Sequence, residues 1–420
     1  MRRSWQRQRG GLGLLAVAVG LGTGCASSLP TRRLELEPIK LQATGRGEKT
    51  RVEVLDAQSL FELGNDRLSG KQYAPAVEAY DRLVEHFASS KYVPASLYNA
   101  GLAWEGRGRF DRAAASYRQL VQRFGATKDA LDAAFRLGGA YAELHNWRGS
   151  ADTYAWVLAR TDVTPSDRVE ALSRKALAHF RLREDLPCRA AAEAAMRLYR
   201  QSETGDPLAT DFFAAMAQYY LGALHHRSFR EAKVSTGGGM GPDLDRKARL
   251  LISAQAGYIA AVKVKNLYWA TAAGFQIGSL YREFYNAMMI SVPDFDPQAQ
   301  KNARKAKIPV ADARAQLAQV YLEEVHKKIS PLLEKAVRVF EKNVLVAERI
   351  GIRSAWIDKS RRQLEQLKHL LSASPSDAVK QLPKPGVVPE DEPGQPAAPP
   401  EDPGTDPIAP APEKPGRAYL

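Results

Sequence analysis

The chain has 420 residues, of which 45% are hydrophobic and 25% are charged, and its formal net charge is +13. Its two cysteines, Cys25 and Cys188, are too few for a disulfide-stapled scaffold. The positive charge is concentrated: residues 301–372 carry 16 basic and 8 acidic side chains, whereas residues 60–225 are almost balanced. This distribution excludes a basic surface that runs along the whole chain.

The first 24 residues have the composition of an export signal. Four arginines precede an apolar stretch over residues 10–22, which is too short to cross a bilayer as a stable helix. The segment that ends in Cys25 resembles a bacterial lipobox, although Gly22 stands where that family usually has leucine. The resemblance implies cleavage of a signal peptide (residues 1–24) and a diacylglyceryl group on Cys25. The alternative is an ordinary signal peptide followed by an unmodified cysteine.

The lipobox resemblance also carries a location. Ala26, rather than an aspartate, follows Cys25, which in the lipoprotein family implies anchoring in the outer membrane with the protein facing the periplasm. Residues 25–57 are then expected to be an N-terminal linker. Once Cys25 is acylated, Cys188 has no disulfide partner, and we expect it to be a buried structural thiol. Apart from this covalent lipid, we expect no cofactor.

Residues 58–160 contain three units related by an offset of 37 residues. The aligned positions are an aromatic (Phe61, Tyr98, Phe135), a glycine (Gly64, Gly101, Gly138), a second aromatic (Tyr73, Phe110, Trp147), a small residue (Ala76, Ala113, Ser150) and a tyrosine (Tyr80, Tyr117, Tyr154). Apolar residues recur every three or four positions on each side of a polar turn, which predicts two antiparallel helices per unit. We expect the glycine of the first helix to face the small residue of the second. Neighbouring hairpins must stack into a solenoid to bury their apolar faces.

The order Leu63-Gly64, Tyr73, Ala76 and Tyr80 resembles the tetratricopeptide repeat. The 37-residue period exceeds the usual length of about 34 residues and is similar to the repeats of bacterial envelope lipoproteins. The resemblance implies an all-α fold: a solenoid of tetratricopeptide-type helical hairpins, with a divergent helical C-terminal half and a disordered tail. It also implies a protein-interaction scaffold rather than an enzyme.

Helical character continues beyond residue 160 while the repeat weakens. Residues 166–200 predict another helix pair and residues 208–226 a further helix, so the predicted solenoid spans 58–225. A run of three glycines follows, and it predicts a flexible connector, placed at residues 226–243. No Lys-Ser or Lys-Thr follows these glycines, which argues against a phosphate-binding loop.

Residues 244–371 predict a second, basic and divergent helical domain, stacked against the first at the glycine-rich connector. An aromatic-rich pair at 244–290 precedes helices at 310–329, 331–350 and 353–371, with Ser330 as an N-cap and Pro331 at the first helical position. Lysines interrupt every apolar run in the pair, which excludes a membrane span there. The basic side chains of residues 301–372 suit an anionic surface or form a solvated helix face. No nucleic-acid recognition motif accompanies them, so nucleic acid is not an expected partner.

The final residues, 372–420, have the composition of a disordered tail. From residue 373 onward they contain 13 of the 25 prolines and have a net charge of −4. Such a segment cannot bury enough apolar surface to offset its ordering entropy. We interpret it as a polyproline-like spacer or docking segment, with a solvated tail that binds nothing as the alternative.

Catalytic and metal-binding motifs are missing from the sequence. The seven histidines are scattered, and the adjacent His225 and His226 point to different faces of a helix, which makes a poor chelate. We therefore expect no enzymatic activity.

The tetratricopeptide resemblance implies that the first helix of each unit lines a concave groove for protein partners. The candidate groove residues are Phe61, Asn65, Tyr98, Asn99, Leu102, Glu105, Phe135 and Arg136. Asn65, Asn99 and Arg136 match three of the five positions that clamp a terminal carboxylate in some family members, but Phe61 and Asp132 replace the two clamp lysines. An extended or helical segment with aromatic anchors fits this groove better than a carboxylate terminus.

The whole arrangement of lipobox, long repeats, divergent helical half and acidic tail resembles the outer-membrane tetratricopeptide lipoproteins of the adventurous gliding motility machinery. The resemblance implies a periplasmic scaffold that links the outer membrane to a trans-envelope motor and binds other envelope proteins. One alternative is an assembly lipoprotein for outer-membrane β-barrels or pilus secretins. Another is a peptidoglycan- or lipid-binding spacer that uses residues 301–372.

Overall fold

The structure is a computed structural model that describes residues 39–44, 51–201, 207–235, 240–291, 293 and 295–372. The signal peptide, Cys25 and the proline-rich tail lie outside these residues. The described part contains fourteen α-helices and one β-hairpin. Apart from α11 and α12, helices that follow each other in the chain pack against each other, which confirms the predicted all-α solenoid of tetratricopeptide-type hairpins.

The described chain begins with an antiparallel hairpin of two strands, β1 (Ile39–Thr44) and β2 (Arg51–Asp56). This hairpin lies within the segment expected to be a linker. Strand β2 leads directly into the first helix, and Leu55 is buried in the core of the first repeats. The Asp56 side chain accepts a hydrogen bond from the Ser59 amide at 2.8 Å and so caps that helix. Both contacts fix the direction in which the hairpin leaves the solenoid.

Three helix pairs correspond to the three clear repeats. Their helices are α1 (Ala57–Ser69), α2 (Tyr73–His86), α3 (Val93–Gly106), α4 (Phe110–Phe124), α5 (Lys128–Glu143) and α6 (Trp147–Ala159). The second helix of each pair begins at its repeated aromatic, Tyr73, Phe110 or Trp147. These helix starts agree with the repeat frame that the sequence predicts.

The turn inside each pair has the same geometry in four successive units. One residue adopts the left-handed conformation: Lys71 (φ 56°), Gly108 (φ 68°), His145 (φ 55°) and Arg183 (φ 58°). The next amide bonds to a carbonyl five residues earlier, as from Gln72 to Arg67 at 2.8 Å, which closes the helix end as in a Schellman motif. The helices on either side of Arg183, α7 (Pro165–Arg181) and α8 (Asp185–Gln201), are therefore a fourth unit.

The repeated glycine of each first helix lies under a tyrosine of the second helix. A Cβ atom added to Gly64, Gly101 or Gly138 would overlap the ring of Tyr80, Tyr117 or Tyr154, respectively. The side chain that lies over each of these glycines is therefore that of the tyrosine. A long helical side chain points toward the helix N-terminus and covers the turn before its own Cα. The tyrosine, four positions after the small residue, thus takes the space above the glycine.

Three long helices follow the fourth unit: α9 (Pro207–Glu231), α10 (Met240–Lys263) and α11 (Leu267–Ile290). Because α9 continues to Glu231, the segment before α10 covers residues 232–239 and is shorter than the predicted connector at 226–243. Helices α9 and α10 cross closely at Gly222 and Gly257, where a Cβ added to either glycine would overlap the backbone of the other helix or nearly touch it. The two sides of the connector are thus packed against each other.

The last helices are α12 (Asp296–Ala306), α13 (Val310–Ile350) and α14 (Ala355–Ser372). Helix α13 continues through Pro331, so the prediction of separate helices at 310–329 and 331–350, with Ser330 as an N-cap, is wrong. The Ser330 hydroxyl instead donates to the Lys327 carbonyl at 3.2 Å. Ile329 and Leu333, on either side of the proline, are both buried. Burial of one continuous face against α11 and α14 outweighs the hydrogen bond lost at the proline.

A single hydrophobic core joins the fourth unit to the C-terminal helices, with buried residues from Val169 to Leu367. At its centre the ring of Tyr219 lies 5.3 Å from Tyr258, 5.0 Å from Trp269 and 6.5 Å from Trp356, between ring centroids. The C-terminal helices therefore share a core with the repeats, in contrast to the separate domain expected at 244–371. None of the helices within the described residues is both long and apolar enough to cross a membrane.

Candidate functional site

The predicted groove residues lie on α1, α3 and α5, the first helices of the three clear units. They divide by exposure into a partly exposed group of Phe61, Leu102, Glu105, Phe135 and Arg136 and a buried group of Asn65, Tyr98 and Asn99. The structure thus brings the five partly exposed side chains to the surface and places the other three in the packing between helices.

The two buried asparagines bond within the solenoid. Asn99 Nδ2 donates to Asn65 Oδ1 at 2.9 Å, and the Tyr80 hydroxyl donates to the same oxygen at 2.8 Å. These three residues come from α3, α1 and α2, so the network joins the first unit to the second. Two of the three positions that match the carboxylate clamp are therefore engaged in repeat-to-repeat packing.

The third clamp-like residue, Arg136, pairs with Glu105 of the preceding unit. Arg136 Nη1 lies 3.1 Å from Glu105 Oε2, and the two side chains are 36% and 20% exposed. Burial raises the pKa of Glu105, while the charge of Arg136 opposes this shift. Burial also raises the pKa of Tyr98, which keeps its phenol neutral. The Glu105–Arg136 ion pair thus links the second unit to the third.

Aromatic contacts repeat along the same side of the solenoid. The repeated aromatic of each first helix contacts the repeated tyrosine of the same unit. The ring centroids are 6.3 Å apart for Phe61 and Tyr80, 5.8 Å for Tyr98 and Tyr117, and 6.2 Å for Phe135 and Tyr154. Phe61 also stacks on Tyr92 at 5.1 Å, a residue that the sequence did not mark as part of the groove. The surface is thus an aromatic strip at the first unit and a mixed apolar and charged strip further along.

Two arginines link successive units, and the sequence analysis did not identify them. Arg123 Nη2 donates to the Ala88 carbonyl at 2.9 Å, and one repeat later the guanidinium of Arg160 donates to the Gly125 carbonyl. Each contact ties the end of one unit to the turn that ends the unit before it. The recurrence of arginine at an offset of 37 residues was the signal that could have identified them.

A partly buried ionic cluster lies away from the groove, where α9, α10 and α11 meet. Arg230 donates to both Glu283 carboxylate oxygens, at 2.9 and 2.7 Å, and His226 Nε2 lies 3.1 Å from Glu283 Oε2. His226 Nδ1 lies 3.1 Å from the Tyr258 hydroxyl. Nearby, Lys247 Nζ donates to the Phe229 carbonyl at 2.6 Å. Of the adjacent histidines His225 and His226, one is thus committed to an internal network.

Electrostatics within this cluster favour a charged Glu283 and a neutral His226. Burial by itself would raise the pKa of Glu283, but His226 and Arg230 hold it well below its ordinary value. Burial lowers the pKa of His226, although Glu283 opposes that shift. Among the described residues, no three His, Cys, Asp or Glu side chains are grouped to hold a metal ion.

These features define a class of protein: an α-helical repeat solenoid of the tetratricopeptide type, with identical turns in four units and a groove along its first helices. Such solenoids generally bind protein partners on their extended surfaces.

Several solved structures are similar to this chain. The MamA protein is 14% identical over 49% of this chain and 94% of its own, with a TM-score of 0.34. A tetratricopeptide repeat protein from Parabacteroides merdae is 14% identical over 74% and 98%, with a TM-score of 0.33. The C-terminal part of a TPR repeat-containing protein from Cytophaga hutchinsonii is 13% identical over 76% and 98%, with a TM-score of 0.34. Comparisons with protein-family models and with curated proteins find no match.

Proposed function

We propose that this protein is a non-enzymatic outer-membrane lipoprotein that acts as a periplasmic scaffold in a cell-envelope machine. The observation that carries the proposal is the groove on α3 and α5, where Leu102, Phe135 and the Glu105–Arg136 pair are partly exposed on rigid helices. Apolar anchors beside a charged pair suit an extended or helical protein segment. The lipobox-like segment that ends in Cys25 supports the membrane anchor.

The machine that we propose is the gliding motility apparatus. Support comes from the combination of lipobox, long repeats and proline-rich acidic tail, which resembles the lipoproteins of that apparatus. In this role the anchor holds the solenoid at the outer membrane while the groove binds a component of the trans-envelope motor. An assembly role for outer-membrane β-barrels or pilus secretins would use the same groove with different partners.

A specific observation favours one second candidate, a spacer that binds peptidoglycan or anionic lipid. Lys301, Arg304, Lys305 and Lys307 are all exposed on or next to the short helix α12. A cluster of this kind attracts anionic surfaces at low ionic strength and releases them as salt screens the charges. Binding of the protein to sacculi that disappears in high salt would support this second function.

Crosslinking in intact cells, followed by purification through a tag inserted at residues 236–239 and mass spectrometry, tests the scaffold. The groove variant is Leu102→Glu, which places a charge among the partly exposed groove side chains. Its matched control is Leu144→Glu, at a side chain that is 43% exposed in the turn between α5 and α6. Motility and motor components that are lost with Leu102→Glu and kept with Leu144→Glu would support the proposal. Barrel-assembly or secretin components would transfer the protein to the assembly class.

The anchor is tested separately. Mass spectrometry of the purified N-terminal peptide should show an acylated Cys25, and Cys25→Ser should release the protein from the membrane fraction. An unmodified cysteine at that position would refute the lipoprotein assignment and leave the groove experiment intact.

A further inference from the structure

The N-terminal hairpin presents its apolar face to the outside. Leu41 pairs with Val54 in the register of β1 and β2, and Ile39 lies two positions from Leu41 on the same face. Their side chains are 67% (Ile39), 68% (Leu41) and 61% (Val54) exposed. A hairpin that packs on a helical protein normally turns its apolar side chains inward, so this orientation is reversed.

The reversal follows from how β2 joins the solenoid. Leu55 is 3% exposed and packs into the first-repeat core, and Asp56 caps α1. On the other strand, Lys40, the pairing partner of Leu55, lies over the Phe87 ring at 5.6 Å. Because side chains alternate along a strand, burial of Leu55 forces Val54, and with it Leu41 and Ile39, to the outer face. The apolar face is therefore held outward by the first repeat.

Two features identify what covers this face. Residues 26–38 separate the hairpin from Cys25, and fully extended they reach at most about 45 Å, so a lipid on Cys25 keeps the hairpin within about 45 Å of the bilayer. Residues 45–51 carry three basic and one acidic side chain, which suits anionic headgroups. A second copy of the chain is a poorer occupant, since three side chains offer much less than the roughly 800 Å² per partner of a stable interface.

We propose that the face formed by Ile39, Leu41 and Val54 lies in the lipid surface to which the protein is anchored. This inference rests on the proposed lipoprotein function, because a single small apolar face binds a bilayer usefully only when a tether supplies a high local concentration. Together the lipid and the hairpin face fix the solenoid at two points. The groove then has a set orientation to the membrane, which a single lipid anchor would not give it.

The test uses the mature chain, residues 25–420, coupled at Cys25 to a maleimide lipid on vesicles of phosphatidylethanolamine and phosphatidylglycerol. Coupling is selective because Cys188 is buried and burial raises the pKa of its thiol to about 12. The tether therefore does not depend on lipidation in cells. Leu41→Trp supplies the probe, and vesicles made with brominated acyl chains quench a tryptophan that enters the acyl region.

The expected result is that Leu41→Trp loses most of its added emission on brominated vesicles. The matched control, Leu186→Trp, should keep its emission, because Leu186 is 79% exposed on α8 and far along the chain from the tether. Adding Ile39→Gln and Val54→Gln to Leu41→Trp should abolish the quenching. Ile39→Trp serves as a second probe if Leu41→Trp fails to fold, as judged by circular dichroism.

Three outcomes would overturn the proposal. If brominated lipid does not quench the emission of the tethered Leu41→Trp protein, the face lies away from the bilayer. Equal quenching at position 186 would mean that the protein contacts the bilayer without preference. Self-association of the untethered chain that is lost in the Gln variants would assign the face to a second copy. Failure of lipidation in cells is seen separately at Cys25 and affects only the proposed function.

Discussion

At the scale of single residues, the contact between glycine and tyrosine specifies the repeat. Each repeated tyrosine is fully buried, covers a glycine of the first helix and touches the aromatic residue one turn before that glycine. In the first unit the Tyr80 hydroxyl also bonds to Asn65, which binds Asn99 of the next unit. One side chain thus closes the hairpin and helps to join it to its neighbour.

The stability of two adjacent glycine variants on α5 tests this contact. Gly138→Ala should destabilise the protein by about 1–3 kcal/mol, because the new methyl group overlaps the buried Tyr154 ring. Gly139→Ala is the control: a Cβ there meets nothing within 4 Å, so the better helix propensity of alanine should leave stability unchanged or raise it by up to about 1 kcal/mol. Urea denaturation followed by circular dichroism gives both values. Equal stability of the two variants would refute the contact.

At the scale of secondary-structure elements, the long helix α13 carries an internal proline. Pro331 has no amide hydrogen to give to the Lys327 carbonyl, which accepts the Ser330 hydroxyl instead. The buried face of α13, with Ile329 and Leu333 on either side, holds the helix together. Burial has prevailed here over a local signal that by itself predicts a helix boundary.

Pro331→Ala should therefore stabilise the protein. Restoring one helix hydrogen bond and removing the steric clash should gain about 1–2 kcal/mol, since the cost of proline in a helix interior, about 3 kcal/mol, is partly offset by the stiffer unfolded chain. Val320→Ala, at a 61% exposed position on the same helix, should change the free energy of unfolding by less than about 0.5 kcal/mol. Thermal denaturation of both variants checks the difference. A less stable alanine variant would mean that α13 needs its proline.

The junction of α9, α10 and α11 should make the protein sensitive to acid. The pKa of His226 is lowered in the folded state, so below its unfolded value of about 6.5 the unfolded chain binds the extra proton and stability falls. The pKa of Glu283 is also lowered, so its contribution is present above about 4.5 and is lost as the pH falls further. Arg230 and Lys247 face the same cluster and oppose any added proton. Chemical denaturation at a series of pH values should show stability that falls continuously from pH 7 toward pH 4.

Glu283→Gln identifies the origin of that acid limb. Removing the carboxylate takes away the charged hydrogen bonds that Glu283 accepts from Arg230, whose side chain is 25% exposed; this should cost about 1.5–3 kcal/mol at neutral pH and flatten the dependence below pH 4.5. Glu334→Gln is a suitable control, because its ion pair with Arg338 is exposed on both sides and should contribute little. An unchanged acid limb in Glu283→Gln would assign the sensitivity to other groups.

At the scale of the whole molecule, the continuous core makes the C-terminal helices part of one folding unit with the repeats. The buried face of α9 contacts residues from α10, α11 and α14 through Tyr219. Nearest-neighbour contacts dominate in the first three units, whereas this region has contacts between elements distant in sequence. The C-terminal half should consequently unfold in a single cooperative transition.

A chain that ends at Ser235 should expose this core. It retains α7, α8 and α9 but lacks α10, α11 and α14, whose aromatic rings cover Tyr219, so it should bind a hydrophobic dye and aggregate. A chain that ends at Ser372 keeps all the residues of the core and should unfold at the same temperature as the full chain. Dye binding and light scattering of the two chains test whether the core is exposed. If the chain ending at Ser235 is monomeric and binds no dye, the two halves fold independently.

The sequence predicted which helices carry the groove residues, but it did not predict which of these side chains are exposed. The 37-residue register placed Phe61, Tyr98 and Phe135 on first helices, where they lie. It could not show that Tyr98 and Asn99 are buried between units, because burial depends on how far one hairpin is rotated against the next. The Glu105–Arg136 pair also depends on that rotation, as its members come from different units.

The sequence by itself determined the local structure of this protein: helix pairs, repeat length and the position of the aromatic that begins each second helix. These follow from spacing of apolar residues and from turns, which are short-range properties. Only the tertiary structure decided that α13 continues through Pro331, that a tyrosine ring covers each repeated glycine, and that the hairpin turns its apolar face outward. Each of these outcomes is set by which surface is buried against a distant part of the chain.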